Sequence, residues 1–218
     1  MTEHVVLDKR RIIREEAKMK AKQDLARDDS YAELAAQMQS LHVARVDEMP
    51  RIELYLDQVL SIIATELAFM YSSDEKIVTG AMVNNYVKQK IVPAPTRKRY
   101  TRRHLASLLF VCAFKRVLSI AQISQIFATG ATAHVDIERA YDDICGLLER
   151  TLSGLFPDDP AAHPTRHDGE LQLVDSDGNR VDPELTRLLE NAVFLLAYKV
   201  YTDRMLALEA QRMAPKEQ

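Results

Sequence analysis

Thr79-Gly80-Ala81-Met82-Val83-Asn84-Asn85-Tyr86-Val87-Lys88-Gln89-Lys90 is followed by Ile91-Val92-Pro93-Ala94-Pro95, then by Thr96-Arg97-Lys98-Arg99-Tyr100-Thr101-Arg102-Arg103-His104-Leu105. The first part reads as a short helix. Thr79 carries the hydroxyl of an N-cap, suited to the orphan amides of a first turn. Met82, Val83, Tyr86 and Val87 recur at helical spacing and form an inward face. Asn84, Asn85, Lys88 and Gln89 are left for the opposite face, because an unpaired amide is costly in a core. Pro93 and Pro95 force extended backbone around themselves. Arg97, Lys98, Arg99, Arg102 and Arg103 then lead into a second helix, which Thr101 can cap. A short helix, a bend and a basic segment entering another helix have the outline of a helix-turn-helix with a basic wing.

Charge singles out the same region. Residues 76–135 contain no Asp or Glu but hold ten of the 29 Lys and Arg: Lys76, Lys88, Lys90, Arg97, Lys98, Arg99, Arg102, Arg103, Lys115 and Arg116. The rest of the chain sets 19 cations against all 32 acids, so the net charge of −3 hides a cationic middle in an acidic frame. Gathered cations are the electrostatic footprint of a polyanion binder. The bland reading is a solvated surface that lacks acids by chance, which a composition of 28% charged residues disfavours.

At 218 residues, 47% of them hydrophobic, the chain can bury a sizeable core. Six glycines and abundant Ala, Leu, Glu, Lys and Arg favour helix. Cys112 and Cys145 fall in apolar helical patterns and read as reduced core thiols, with no paired framework or metal spacing. Thr2-Glu3-His4 with charges close behind does not read as a signal peptide, and no apolar run approaches the ~20 residues of a membrane span. A cytoplasmic location is expected.

Asn84-Asn85-Tyr86 through Pro93-Ala94-Pro95, then Arg99-Tyr100-Thr101 and Leu105, resembles the DNA-binding domain of MerR-type regulators. Leu118-Ser119-Ile120-Ala121-Gln122-Ile123 resembles the opening of that family's next helix. Ile52 to Ile123 is also similar to an uncharacterised bacterial family of unknown function, whose members carry Leu-Asp-Gln-Val-Leu, Met-x-Asn-Asn-Tyr-x-Lys and Pro-x-Pro-x-x-Lys-Arg-Tyr segments. The chain departs from the MerR-type pattern at three places. Asn84 and Asn85 replace the first recognition arginine and tyrosine. Lys90 replaces the helix-ending glycine and must either adopt positive φ or end the helix differently. A longer Ile52–Tyr71 segment replaces the short first helix.

Three regions are expected: a charged helical extension over 1–48, the winged helix-turn-helix over 49–130, and a helical region over 131–218. Val6 to Arg27 reads as an exposed helix, broken at Asp28-Asp29-Ser30. Ser30 with Glu33 has capping-box spacing, so another helix should start at Tyr31. Pro50 fits a first turn, and Ile52, Tyr55, Leu56, Val59, Leu60, Ile63 and Leu67 form a wide apolar stripe. Ser119 with Gln122 starts a helix to about Phe127, which Thr129-Gly130-Ala131-Thr132 separates from a long amphipathic helix after His134. Leu171–Val174 and Asn179–Val181 suggest a small hairpin about Ser176-Asp177-Gly178. Asp182-Pro183 caps a last helix reaching about Met213.

Some motifs mislead. Asp175-Ser176-Asp177-Gly178-Asn179 has the wrong spacing for a calcium loop and reads as a polar turn. His163 and His167 are denied a shared helix face by Pro164 and lack a third metal ligand. Asp142-Asp143 and Asp158-Asp159 read as solvated surface. His104 reads as a phosphate contact or surface residue, not a base. With no Gly-rich phosphate loop, nucleophile elbow or zinc-peptidase helix, neither enzyme activity nor a cofactor is expected.

The expectation is therefore an all-α, cytoplasmic protein that binds double-stranded DNA and regulates transcription. Thr79 starts the reading helix, and Asn84, Asn85 and Lys88 face the major groove, where Asn suits adenine and Lys suits guanine. Arg97, Lys98, Arg99, Tyr100, Arg102 and Arg103 hold phosphates. A homodimer through the helices after His134 would use their excess apolar surface. The alternative is a protein-interaction scaffold without DNA binding. A basic channel for RNA ranks third, since no aromatic stacking run accompanies the cations.

Overall fold

The computed structural model describes residues 29–72, 75–159, 161–162 and 170–213. Seven α-helices occur among them: α1 over 29–39, α2 Leu56–Glu66, α3 Gly80–Lys88, α4 Arg102–Phe114, α5 Ile120–Thr132, α6 Ile137–Leu155 and α7 Pro183–Met213. A single 3₁₀ turn, Ala68–Met70, follows α2. β-structure among the described residues is confined to isolated bridges, so the architecture is all-α. No helix there is long and apolar enough to cross a membrane.

One continuous core runs from Tyr31 on α1 to Leu208 on α7. The axis of that core is α4. Nine of its residues, from Leu105 to Phe114, are buried. A helix apolar nearly all round has to be wrapped by others, and α2, α6 and α7 all pack on α4. Against it α6 turns the stripe Ala140, Tyr141, Ile144, Leu147, Leu148, Leu152 and Leu155.

The loop before α2 is held by carboxylates from the helices beneath it. The amides of Val43, Ala44 and Val46 donate to Glu149, Glu66 and Asp142 at 2.7, 2.9 and 2.9 Å. Arg45 forks onto both oxygens of Glu149. Charge-assisted bonds of this kind are stronger than neutral ones, and they fix a loop that has no ladder of its own.

Several sequence expectations need correction. Asp29 and Ser30 are helical, so the chain is already in α1 before Tyr31. Burial of Tyr31, Ala35 and Met38 along one stripe outweighs the breaking tendency of Asp and Ser. The Ile52–Tyr71 helix is shorter than its apolar pattern. It begins at Leu56, because Leu54 instead exchanges both backbone hydrogen bonds with Tyr100, at 2.8 and 2.9 Å. Ile52 and Tyr55 accordingly leave the core stripe and stand 70% and 50% exposed. In the other direction, α5 runs through Thr129-Gly130-Ala131 to Thr132. It stops in a Schellman motif, with Val135 N–H bonded to the Gly130 carbonyl, His134 N–H to Ala131, and His134 at φ 53°.

Other expectations match the structure. Ser119 with Gln122 caps α5, and the Asp182 carboxylate accepts the Glu184 amide at the start of α7. The small hairpin forms, with a bridge between Val174 and Arg180 and Gly178 at φ 84°. The Asp175 carboxylate accepts the amides of Asp177 and Asn179 and so builds a polar turn. The Val6–Arg27 segment and the His163/His167 pair lie outside the described residues.

Candidate nucleic-acid interface

Thr79 caps α3, its hydroxyl accepting the Met82 amide at 3.2 Å. Val83 and Tyr86 are buried against the α2 side, and burial pushes the Tyr86 phenol up to about 12. With those residues anchored, Asn84, Asn85, Lys88 and Gln89 form an exposed polar row. The helix ends where Lys90 adopts φ 59°. Ile91 N–H then reaches back to the Tyr86 carbonyl at 3.0 Å, and Lys90 N–H reaches Val87 at 3.0 Å. This is the Schellman closure in which glycine usually occupies the left-handed position. A residue with a Cβ costs about 1 kcal/mol or more there.

The basic segment is a tight two-residue turn. Thr96 and Arg99 pair, with Arg99 N–H to the Thr96 carbonyl at 2.9 Å, while Arg97 and Lys98 sit at φ 51° and 62°. Positive φ at both central positions is the habit of hairpin turns that normally carry Asn-Gly. Here two exposed cations occupy it. At the base of the turn the Arg99 guanidinium lies 3.6 Å over the Tyr55 ring and donates to its hydroxyl. Glu53, Tyr55, Thr96, Arg97 and Arg99 line an open cleft there. The acid-free stretch in sequence is therefore not acid-free in space, since Glu53, from outside it, lines the same cleft as Arg97 and Arg99.

Residues 44–144 match a protein family described as a domain of unknown function, DUF1836. The similarity to an uncharacterised family thus extends on both sides of Ile52–Ile123, from the carboxylate-held loop into α6. No curated protein and no solved structure matches the chain.

Within this domain the expected contact residues divide. Asn84, Asn85, Lys88, Arg97, Lys98 and Arg103 are exposed, whereas Thr79, Arg99 and Arg102 are half-buried. Arg102 reaches back to the carbonyls of Pro50 and Asp47 at 3.3 and 3.4 Å, which ties the start of α4 to the preceding loop. Tyr100, read from sequence as a phosphate contact, is 4% exposed. Its backbone pairs with Leu54, and its ring meets His104 edge-on at 5.8 Å. It belongs to the core under the turn.

His104 is also not a surface contact. Its Nδ1 accepts the Thr101 amide at 3.1 Å and lies 2.8 Å from the Thr101 hydroxyl, closing a capping box. Burial holds its pKa below the ordinary 6.5, opposed by the Ala94 backbone, with Arg103 lowering it further. Sequence carried the signal, Thr101-x-x-His104, but Glu or Gln is the usual partner at that position.

Two further cations are used inside the fold. Lys115 Nζ donates to the Ile77 carbonyl, and burial lowers its pKa. Arg116 bridges Glu75 and Asp203 and lies 4.3 Å over the Tyr71 ring. The residue that sequence reasoning missed is Tyr55, placed in the core by its spacing yet serving as the platform for Arg99.

Proposed function

We propose that this chain is a cytoplasmic DNA-binding protein, a transcriptional regulator of winged helix-turn-helix type. In this reading α3 enters the major groove and presents Asn84, Asn85 and Lys88 to base edges. The turn at 96–99 is the wing. Arg97 and Lys98, with Arg103 at the start of α4, neutralise phosphates, and Arg99 is held ready by Tyr55. The similarity to MerR-type motifs supports the same reading, and Lys90, which departs from the helix-ending glycine of that pattern, still takes the left-handed conformation.

The observation that carries it is the turn tip. Two bulky cations occupy left-handed positions that Asn-Gly would fill with less strain. Backbone strain persists where the surroundings hold it and is concentrated at functional sites. Phosphate binding supplies a reason to keep both charges at that tip.

Competition titration with cognate and scrambled duplexes tests the reading. Asn84→Ala and Asn85→Ala each weaken the preferred duplex by about 1–3 kcal/mol, while non-specific binding survives. Both variants melt within about 0.5 kcal/mol of the parent, as exposed substitutions do. Affinity falls steeply with salt. If both variants fold and no duplex is ever preferred, the protein-interaction scaffold replaces the regulator.

A further inference from the structure

An open pocket lies where α4, α5, α6 and α7 converge, and it encloses about 550 Å³, part of it continuous with solvent. That size falls within the roughly 300–1,000 Å³ of small-molecule sites. Phe110 of α4, Phe127 of α5, Ile144 of α6 and Leu189 of α7 supply large side chains to a lining that is almost all carbon. Among the described residues, none that lines it is charged. Its two hydroxyls belong to Ser107 and Tyr141. Each has given its one proton to a carbonyl, of Arg103 at 2.9 Å and of Ala44 at 3.1 Å.

The way α5 packs leaves this space open. Ile123 is the residue of that helix that is fully buried, whereas Ile126 and Phe127 stay half-buried at the pocket wall. Gly130, in the last turn of α5, lines the pocket as well. A Cβ added there would meet the Val135 side chain at 3.8 and 3.9 Å, an ordinary van der Waals contact. Alanine therefore fits and would favour the helix. A longer side chain would extend along the Val135 wall and take up the open volume.

We propose that this pocket binds a neutral aromatic molecule of one or two fused rings. A lining without charge or spare protons excludes a carboxylate or phosphate, which would lose its hydration with nothing in exchange. A peptide segment is a poor occupant for the same reason, because its N–H and C=O groups need partners that carbon cannot supply. A flat ring, by contrast, finds matching surfaces. Phe110 and Phe127 meet at 85° with centroids 5.4 Å apart, and Phe110 is braced from behind by Phe114, stacked at 4.2 Å. Two rings at right angles offer a third ring both a face and an edge. The lining hydroxyls, their protons used, can only accept, which suits a ligand with a single N–H such as indole.

The proposal stands apart from nucleic-acid binding and is tested without it. The chain has no tryptophan, so indole emission excited to the red of tyrosine absorption reports on the probe alone. Titrating the full chain into indole should shift that emission to the blue and saturate at one indole per chain. Toluene should displace the probe, and benzoate should not. Bound indole should show nuclear Overhauser contacts to the Ile126 and Leu189 methyls of the parent chain. Gly130→Leu, with its helical circular dichroism intact, should lose indole binding, and Gly130→Ala should keep it. If Gly130→Leu does not fold, the Overhauser contacts decide. The absence of a blue shift at millimolar indole, displacement by benzoate, Overhauser contacts confined to other residues, or undiminished binding by a folded Gly130→Leu overturns the proposal.

Discussion

One acid-free stretch supplies two groups of cations with opposite fates. Arg97, Lys98 and Arg103 stay exposed on the turn and at the start of α4. Lys115 and Arg116, at the other end of α4, are drawn into the fold by the Ile77 carbonyl, Glu75, Asp203 and the Tyr71 ring. The difference lies in what the tertiary structure brings near. Asp203 comes from α7, and Arg204 beside it donates to the Phe69 and Ala68 carbonyls, so α7 closes over the Arg116 end of α4. At the turn, Glu53 and Tyr55 share an open cleft with Arg97 and Arg99. The same residue types thus hold helices together at one end and face outward at the other.

The comparison breaks most visibly at Arg116, whose side chain is 9% exposed. Arg116→Ala leaves Asp203 with one cation fewer and removes the stack on Tyr71. It should cost about 2 kcal/mol in urea melts, from the lost stack and charge-assisted hydrogen bonds, since Glu75 and Asp203 are partly exposed and Asp203 keeps Lys199. Arg103→Ala, on the exposed side, should stay within about 0.5 kcal/mol. Equal losses at the two sites would erase the distinction drawn between them.

Relief of the left-handed positions separates stability from binding. The double change Arg97→Asn, Lys98→Gly installs the favoured turn pair and should raise stability by about 1–2 kcal/mol. Lys90→Gly should add about 1 kcal/mol by the same reasoning. Both variants should bind duplex DNA more weakly and with a shallower salt dependence, since each removes cations. A double variant that melts no later than the parent would show that the turn is unstrained.

The smallest effect concerns pH. Because the folded-state pKa of His104 lies below its ordinary 6.5, the unfolded chain takes up this proton first on acidification. The His104 contribution is complete above pH 6.5 and is lost as pH falls through the lowered value. The acids with depressed pKa, Glu48, Glu75, Asp175 and Asp203, act in the same direction only near and below the carboxylate range. His104→Gln keeps a capping-box residue and should flatten the stability profile just below pH 6.5, as followed by thermal melts. An unchanged slope would assign it to other groups.

Much of the fold was legible because its signals are local. Thr79, Ser119 and Asp182 announce helix starts through hydroxyls and a carboxylate that meet amides two or three residues on. Lys90 stands where a left-handed residue is needed, and it adopts that conformation. The exposed row on α3 followed by elimination, once Val83 and Tyr86 were assigned inward. Tyr100 was misread because basic neighbours surround it in sequence while the core surrounds it in space, and His104 because its imidazole turns back to cap α4.

By itself, the sequence determined an all-α chain, most helix starts, and the acid-free cationic middle, since period and capping chemistry act over a few residues. Only the tertiary structure decided that Leu54 pairs with Tyr100 and shortens α2, and that Tyr55 carries Arg99 instead of filling the core. It also decided that Arg116 is spent on α7. Each of these depends on residues distant in the chain meeting at hydrogen-bond or van der Waals range, and spacing along the chain carries no record of that meeting.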